Sequence, residues 1–247
     1  MKKTVLLLSL AGIVLLSGCS PKLFPKGEAY KGFYDEKPVA VLIMPPINKT
    51  TSVDAKEYFH TTLNVPVSNA GYYVIPPFLS MEILKRESAY DAELFLDAPL
   101  TKFGDVFGAD LALFTIIHQW KKASVVGTIT VEVEYLFKSV KTGETVYQRR
   151  GGITVNANTS YGQSGLGALV GMAVAAIQTA VTDHAIVGAV CNNVTLQDLP
   201  AGKYSPLYEK DSNQRAGQKD FKTSINGSAK SIRKQTANWY SKYTKER

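Results

Sequence analysis

The stretch PVAVLIMPP, Pro38 to Pro46, decides the fold. Between its prolines lies an unbroken apolar run rich in β-branched residues, Val39 to Met44, which is the mark of a strand buried on both faces. Such a strand sits inside a sheet that helices cover. Downstream, Asp54 to Val67 carries Tyr58, Phe59, Leu63 and Val67 at helical spacing, with Pro66 placed to end or kink the helix. Gly71 to Pro77 reads as a short strand between a glycine turn and a proline stop. Met81 to Tyr90 and Leu100 to Phe107 read as helices, and Leu111 to Ile117 as a second apolar strand. This alternation predicts an α/β domain with a mixed sheet flanked by helices.

The next block changes period. Over Val125 to Val140, Thr128, Thr130, Glu132 and Glu134 alternate with Ile129, Val131, Val133 and Tyr135, so one face is expected wet and the other buried. Lys141-Thr142-Gly143-Glu144 is a hairpin turn, and Thr145 to Ala157 returns as the partner strand. Together they predict a long antiparallel pair. Gly165 to Val181 is apolar and rich in Ala and Gly, with Gly167 and Gly171 at small-residue packing spacing. Gln178, Asp183 and His184 favour a helix packed on the sheet and continuing towards Ala189; insertion into a membrane as part of an oligomeric pore is the alternative. Pro200 and Gly202 are expected to close the globular part.

Upstream of Pro38, Lys2 and Lys3 precede the apolar run Val5 to Leu16, which is shorter than the ~20 residues of a bilayer-spanning helix and reads as an export signal. It ends in Leu16-Ser17-Gly18-Cys19, which resembles the lipobox of bacterial lipoproteins. That resemblance implies cleavage after residue 18 and acylation of the Cys19 thiol, a lipid anchor on a membrane. Ser20 in place of Asp implies, by the sorting rule of such lipoproteins, the outer membrane facing the periplasm. Residues 19–37 then read as lipidated N-terminus and tether, 38–206 as the α/β domain and 207–247 as a basic tail.

The whole chain has 28 Lys and Arg against 21 Asp and Glu, and ten of those cations against four acids lie in Glu209 to Arg247. Within that tail Ile225, Ala229, Ile232, Thr236, Trp239 and Tyr243 recur at steps of four and three, a helical stripe flanked by Lys230, Arg233, Lys234 and Lys242. Lys230, Arg233, Lys234, Trp239, Tyr240, Lys242 and Tyr243 are therefore the candidate partner-binding residues. Their chemistry suits anionic lipid, acidic cell-wall polymer or an acidic protein; it would suit nucleic acid also, but an exported protein rarely meets it.

Residue types for catalysis are sparse. His60, His118 and His184 stand in no metal-ligand spacing, so neither a metal nor a cofactor is expected. Ser164 lacks the glycine two positions on that a nucleophile elbow requires, and the glycines from Gly165 to Gly171 miss the dinucleotide-loop spacing. Glu132 and Glu134 share a strand face and could pair as glycosidase carboxylates do, which makes a cell-envelope glycan enzyme the alternative. With Cys19 acylated, Cys191 is left without a disulfide partner and reads as a buried small hydrophobe.

Several stretches together, Pro38 to Leu42, Ala70 to Pro76, Phe107-Gly108-Ala109-Asp110 and the Lys141–Glu144 hairpin, resemble a family of uncharacterised bacterial lipoproteins over about Pro38 to Pro200. More distantly, the order of elements is similar to the anticodon-binding-type domain of the curli-secretion channel lipoprotein and of the N-terminal domain of the Tol-system periplasmic protein. The resemblance implies a tethered periplasmic domain that assembles with its own copies, with other envelope lipoproteins or with a curli-secretion-like partner. It implies no catalytic residues. The basic tail lies outside it.

Overall fold

The structure is a computed structural model and describes residues 24–53, 55–123, 128–156 and 184–226. The strand quoted above is β1, Ala40–Ile43. Val41, Leu42, Ile43 and Met44 are all fully buried, because alternate side chains enter two separate cores. Around it the chain forms α1 (Lys26–Ala29), α2 (Lys31–Glu36), β2 (Ile47–Asn48), α3 (Ala55–Thr61), α4 (Asn64–Asn69), β3 (Tyr73–Val74), α5 (Pro77–Arg86) and α6 (Thr101–Phe107). Then follow β4 (Leu111–Ala123), β5 (Thr128–Ser139), β6 (Thr145–Asn156), α7 (His184–Leu196) and β7 (Asp220–Asn226).

The sheet runs β3-β1-β4-β5-β6-β7, with β2 also on β4. Its first part is parallel: Val41 lies beside Val74 and Leu111, and Ile47 beside Ile116. β4, β5 and β6 are antiparallel, and β7 adds a parallel edge from Arg150↔Asp220 to Asn156↔Asn226. The predicted mixed sheet flanked by helices, with its long hairpin, is the observed architecture. Gly143 turns the hairpin at φ 75°, and Gly108 ends α6 in the left-handed conformation at φ 65°.

Helices cover the two faces unequally. On one face α2, α3, α4 and α7 meet β4, β5 and β6 over Val131, Val133, Tyr135, Phe137 and Tyr147. On the other, Leu84 of α5 and Phe103 of α6, with Leu100, cover Leu42, Ala112 and Phe114. Beyond that second cluster the same face of β5, β6 and β7 carries polar side chains, and no described helix lies over them.

Four expectations are corrected. Residues 24–37 are not tether: Tyr30 and Phe33 are buried in the main core, since two aromatics three apart line one side of a short helix. The helix expected from Met81 starts at Pro77, whose fixed φ suits the first helical position where a strand stop had been read. The single helix over Asp54 to Val67 is two, broken at Thr62 and Leu63 so that Pro66 falls in the first turn of α4. Globular structure continues past Pro200 and Gly202: Asp211 and Ala216 are buried, and Ile225, the first residue of the expected tail helix, lies in β7.

Candidate functional site

Two places on the domain gather polar groups. The first is the helix-free half of the sheet. Glu132 is only 3% exposed although it was expected on a wet face, because cations from the neighbouring strands close over it. Arg150 Nε donates to its Oε1 at 2.6 Å, and Lys222 Nζ stands 3.3 Å from its Oε2. Gly152, opposite Glu132 in the register, leaves room for these long side chains to cross. Glu134, two positions on, pairs with His118 Nε2 at 2.9 Å and accepts from Gln148 Nε2 at 2.6 Å. His118 reaches it from the register shift in β4 between Ile117 and Gln119, a bulge that re-aims one side chain.

Burial alone would push both carboxyls up, but their partners outweigh it. Hydrogen bonds from Arg150 and Lys222, with their charges, hold Glu132 below the ordinary carboxylate range. Gln148, His118 and the Arg150 charge do the same for Glu134. A glycosidase pair needs one carboxyl raised so that it can donate a proton. Here both are held ionised, and the Arg150 charge acts on both.

A depressed folded pKa contributes stability at pH above the unfolded value, about 4.3, and loses it as pH falls through the folded value. The expected result is that acid unfolding of the Glu132→Gln variant, followed by circular dichroism, shows a shallower loss of stability below about pH 4.3 than wild type. Parallel curves for the two proteins would refute the ion-pair account.

The second place is where the N-terminal helices meet the segment after α7. Lys26, 6% exposed, puts its Nζ 3.2 Å from the Leu199 carbonyl and 3.3 Å from Asp211 Oδ2. Tyr34 donates to the other Asp211 oxygen at 2.9 Å, and Ala201 N–H to Oδ2 at 3.0 Å. Tyr30 donates to Asp198, which also accepts from Gly217 N–H at 2.8 Å. Burial and then the Asp198 bond push the Tyr30 phenol well up, so it stays a donor. Beside this clamp is an open groove of about 670 Å³, lined by Phe24, Tyr30, Ala216–Lys219 and Thr145–Gln148 of β6.

Of the residues singled out from sequence, Glu132 and Glu134 share a face as expected, but with different hydrogen-bond partners. His60 is a core histidine: burial lowers its pKa, and its Nε2 meets no partner among the described residues. Cys191 is a buried free thiol, pushed up to about 11 by burial. Among the described residues no cluster of His, Cys, Asp or Glu could hold a metal, and no helix is long and apolar enough to cross a membrane. Cys19, Ser164, Gly165–Val181, Lys230, Arg233, Lys234, Trp239, Tyr240, Lys242 and Tyr243 lie outside the described residues. The clamp and groove were missed; Tyr30, Phe33 and Tyr34 at three- and four-residue spacing were the signal for them.

A curated relative from Neisseria meningitidis serogroup B, "Putative lipoprotein NMB1124/NMB1162", is 28% identical over 182 residues, covering 72% of this chain and 83% of that protein. Among solved structures, the lipoprotein GNA1162 from Neisseria meningitidis matches at 24% identity and a TM-score of 0.47, over 57% of this chain and 96% of its own. The PelC dodecamer from Paraburkholderia phytofirmans matches at 14% identity and a TM-score of 0.41, over 67% and 91%. The family described as "Putative lipoprotein GNA1162-like" matches residues 28–205, which reach from the α1–α2 clamp to the segment after α7. With that match over well more than half of its length, the chain belongs to the GNA1162-like family.

Proposed function

We propose that this protein is a lipid-anchored, non-enzymatic assembly component of a bacterial cell envelope, held through acylated Cys19 on the outer membrane and facing the periplasm. The observation that carries the reading is the place of Cys19: it ends a lipobox-like sequence five residues before Phe24, where the described domain begins, in a chain of a family described as lipoproteins. Each buried acyl methylene contributes ~0.8 kcal/mol, so two or more chains hold a domain firmly without a membrane-spanning helix. The domain's role is then positional, because confinement to a surface raises its effective concentration for partners there.

Its partners are other envelope lipoproteins, a curli-secretion-like component or further copies of itself, in a secretion or surface-structure system. Contacts come from the domain and from the basic aromatic residues Lys230 to Tyr243. The ionised state of Glu132 and Glu134 favours this reading over a glycan-acting enzyme.

Fractionation of cells carrying wild type or Cys19→Ala tests the anchor. Wild type is expected in the membrane fraction, released only by detergent, and the variant in the soluble fraction. A variant that stays with the membrane would end the proposal as stated. Crosslinked co-purification then tests assembly by comparing the full chain with one ending at Asn226. That end point keeps β7, which a cut near Pro206 would strip from the sheet.

A further inference from the structure

The pairing of β1 with β3 stops at a proline. Tyr73 N–H donates to Val39 O at 2.9 Å and Ile75 N–H to Val41 O at 3.0 Å, so the same two-residue step assigns the Ile43 carbonyl to residue 77. That residue is Pro77, which has no N–H to give. Ile43 is fully buried, where a carbonyl without a partner is costly. The donor comes instead from α3: the Ile43 carbonyl accepts from the His60 ring. Since Nε2 is the ring nitrogen with no partner among the described residues, the bond is made by Nδ1–H. His60 thus ties α3 to the end of β1 through one tautomer of a neutral imidazole.

A second proton would go to Nε2, and the surroundings make no provision for it. His60 is 5% exposed. The charge that acts on it is a cation, Lys85 of α5, itself 3.6 Å from Glu82 on the same helix. Lys56, one turn earlier on α3, stands 3.8 Å over the Tyr90 ring, and the acids Asp91 and Glu93 act on it there. β2 brings Ile47 and Asn48, whose amide donates to the Ser52 carbonyl at 2.6 Å. α7 brings Gly188 towards Phe59, and Asn192 to Thr62 Oγ1 at 2.7 Å, while its Cys191 thiol faces Tyr135 and the Gly151 carbonyl. None of these groups is an acceptor for Nε2.

We propose that His60 is an acid-sensitive latch: its neutral ring holds α3 to β1, and protonation frees α3, because the closed position would bury a charge beside Lys85 with no acceptor for its second N–H. Phe59, whose ring packs on Trp120 and Tyr135, would leave the core with the helix. The device is independent of the lipid anchor and of any partner. Burial lowers the pKa of the closed ring. The latch is therefore fully closed above the ordinary histidine value, about 6.5, and each pH unit below it favours the open form about tenfold until the closed ring itself titrates.

Hydrogen exchange of the full mature chain in detergent, compared at about pH 7 and about pH 5 after correction for the intrinsic rate, tests it. Protection of α3 is expected to fall about 20-fold between the two, while Val131 to Phe137 of β5 change by no more than about twofold. His60→Asn places an amide N–H where Nδ1–H stood and does not titrate, so its α3 protection is expected to change by less than about twofold. An equal fall in wild type and His60→Asn would overturn the proposal. So would a fall that β5 shares in full, which would mean that the ring guards the whole fold and not α3. Where His60→Asn does not fold, magnetic resonance of wild type with labelled histidine decides. The His60 ring is expected to stay neutral at about pH 5.5 while α3 is closed, and titration near 6.5 with α3 still protected would overturn the latch.

Discussion

Phe33→Ala is expected to destabilise the domain by about 3–5 kcal/mol, the usual cost of emptying a buried aromatic site. Phe33 is 3% exposed and meets three aromatic rings edge-on: Phe137 at 5.7 Å, Tyr72 at 5.8 Å and Tyr147 at 6.2 Å between centroids. These partners come from β5, the residue just before β3, and β6, so the side chain ties α2 to two strands and to the entry of a third. Alanine would leave a cavity among rings that are themselves held. Tyr147 donates to the Thr195 carbonyl and Tyr72 to that of Pro200, which limits collapse into the space. Urea unfolding at unchanged m-value measures the loss, with exposed Glu28→Ala as a companion expected within about 0.5 kcal/mol of wild type. Equal stability of the two variants would show that residues 26–36 are tether after all.

Gly71→Ala should cost about 2–4 kcal/mol, from two causes that a second glycine separates. Gly71 has φ 94°, where a side chain costs on the order of 1 kcal/mol. A Cβ there would also stand 2.5 Å from Ser205 N and 2.9 Å from Gly202 O, backbone atoms that cannot swing aside, which adds about 1–3 kcal/mol. The loop in the way is tied down, with Gly202 N–H on Ala70 O at 2.8 Å and Tyr204 N–H on Gly71 O at 2.9 Å. Gly143 has φ 75° with nothing within 4 Å of an added Cβ, so Gly143→Ala carries the conformational cost alone, about 1 kcal/mol. The difference between the variants in thermal or urea unfolding isolates the close approach of the two loops, and no difference would remove it from the account.

Where one signal dominated, the sequence was legible. An apolar run between prolines that is only six residues long and rich in β-branched side chains reads as a two-sided buried strand, and the alternation over Thr128 to Tyr135 gave the inward residues of β5. Long-range pairing was not legible. Tyr30 and Phe33 lie in a polar stretch too short to show a period, and what orders it is partners such as Asp198 and Asp211, more than 160 residues away. Glu132 failed as a wet residue for the same reason: alternation gives the face of the sheet, whereas Arg150 and Lys222 come from strands whose place beside β5 or beyond it depends on topology. Asp220 to Asn226 reads as part of a basic tail because nothing local distinguishes a short parallel edge strand from linker.

The direction of β7 has a mechanical consequence. The chain enters the domain beside Thr145–Gln148 and leaves β7 next to Asn156, some eight residues further along β6, or about 26 Å at 3.3 Å per residue. A pull applied between Phe24 and Asn226 would act lengthwise along β6 and β7. The ladder from Arg150 to Asn156 would be loaded in shear, its bonds bearing force together instead of peeling one after another.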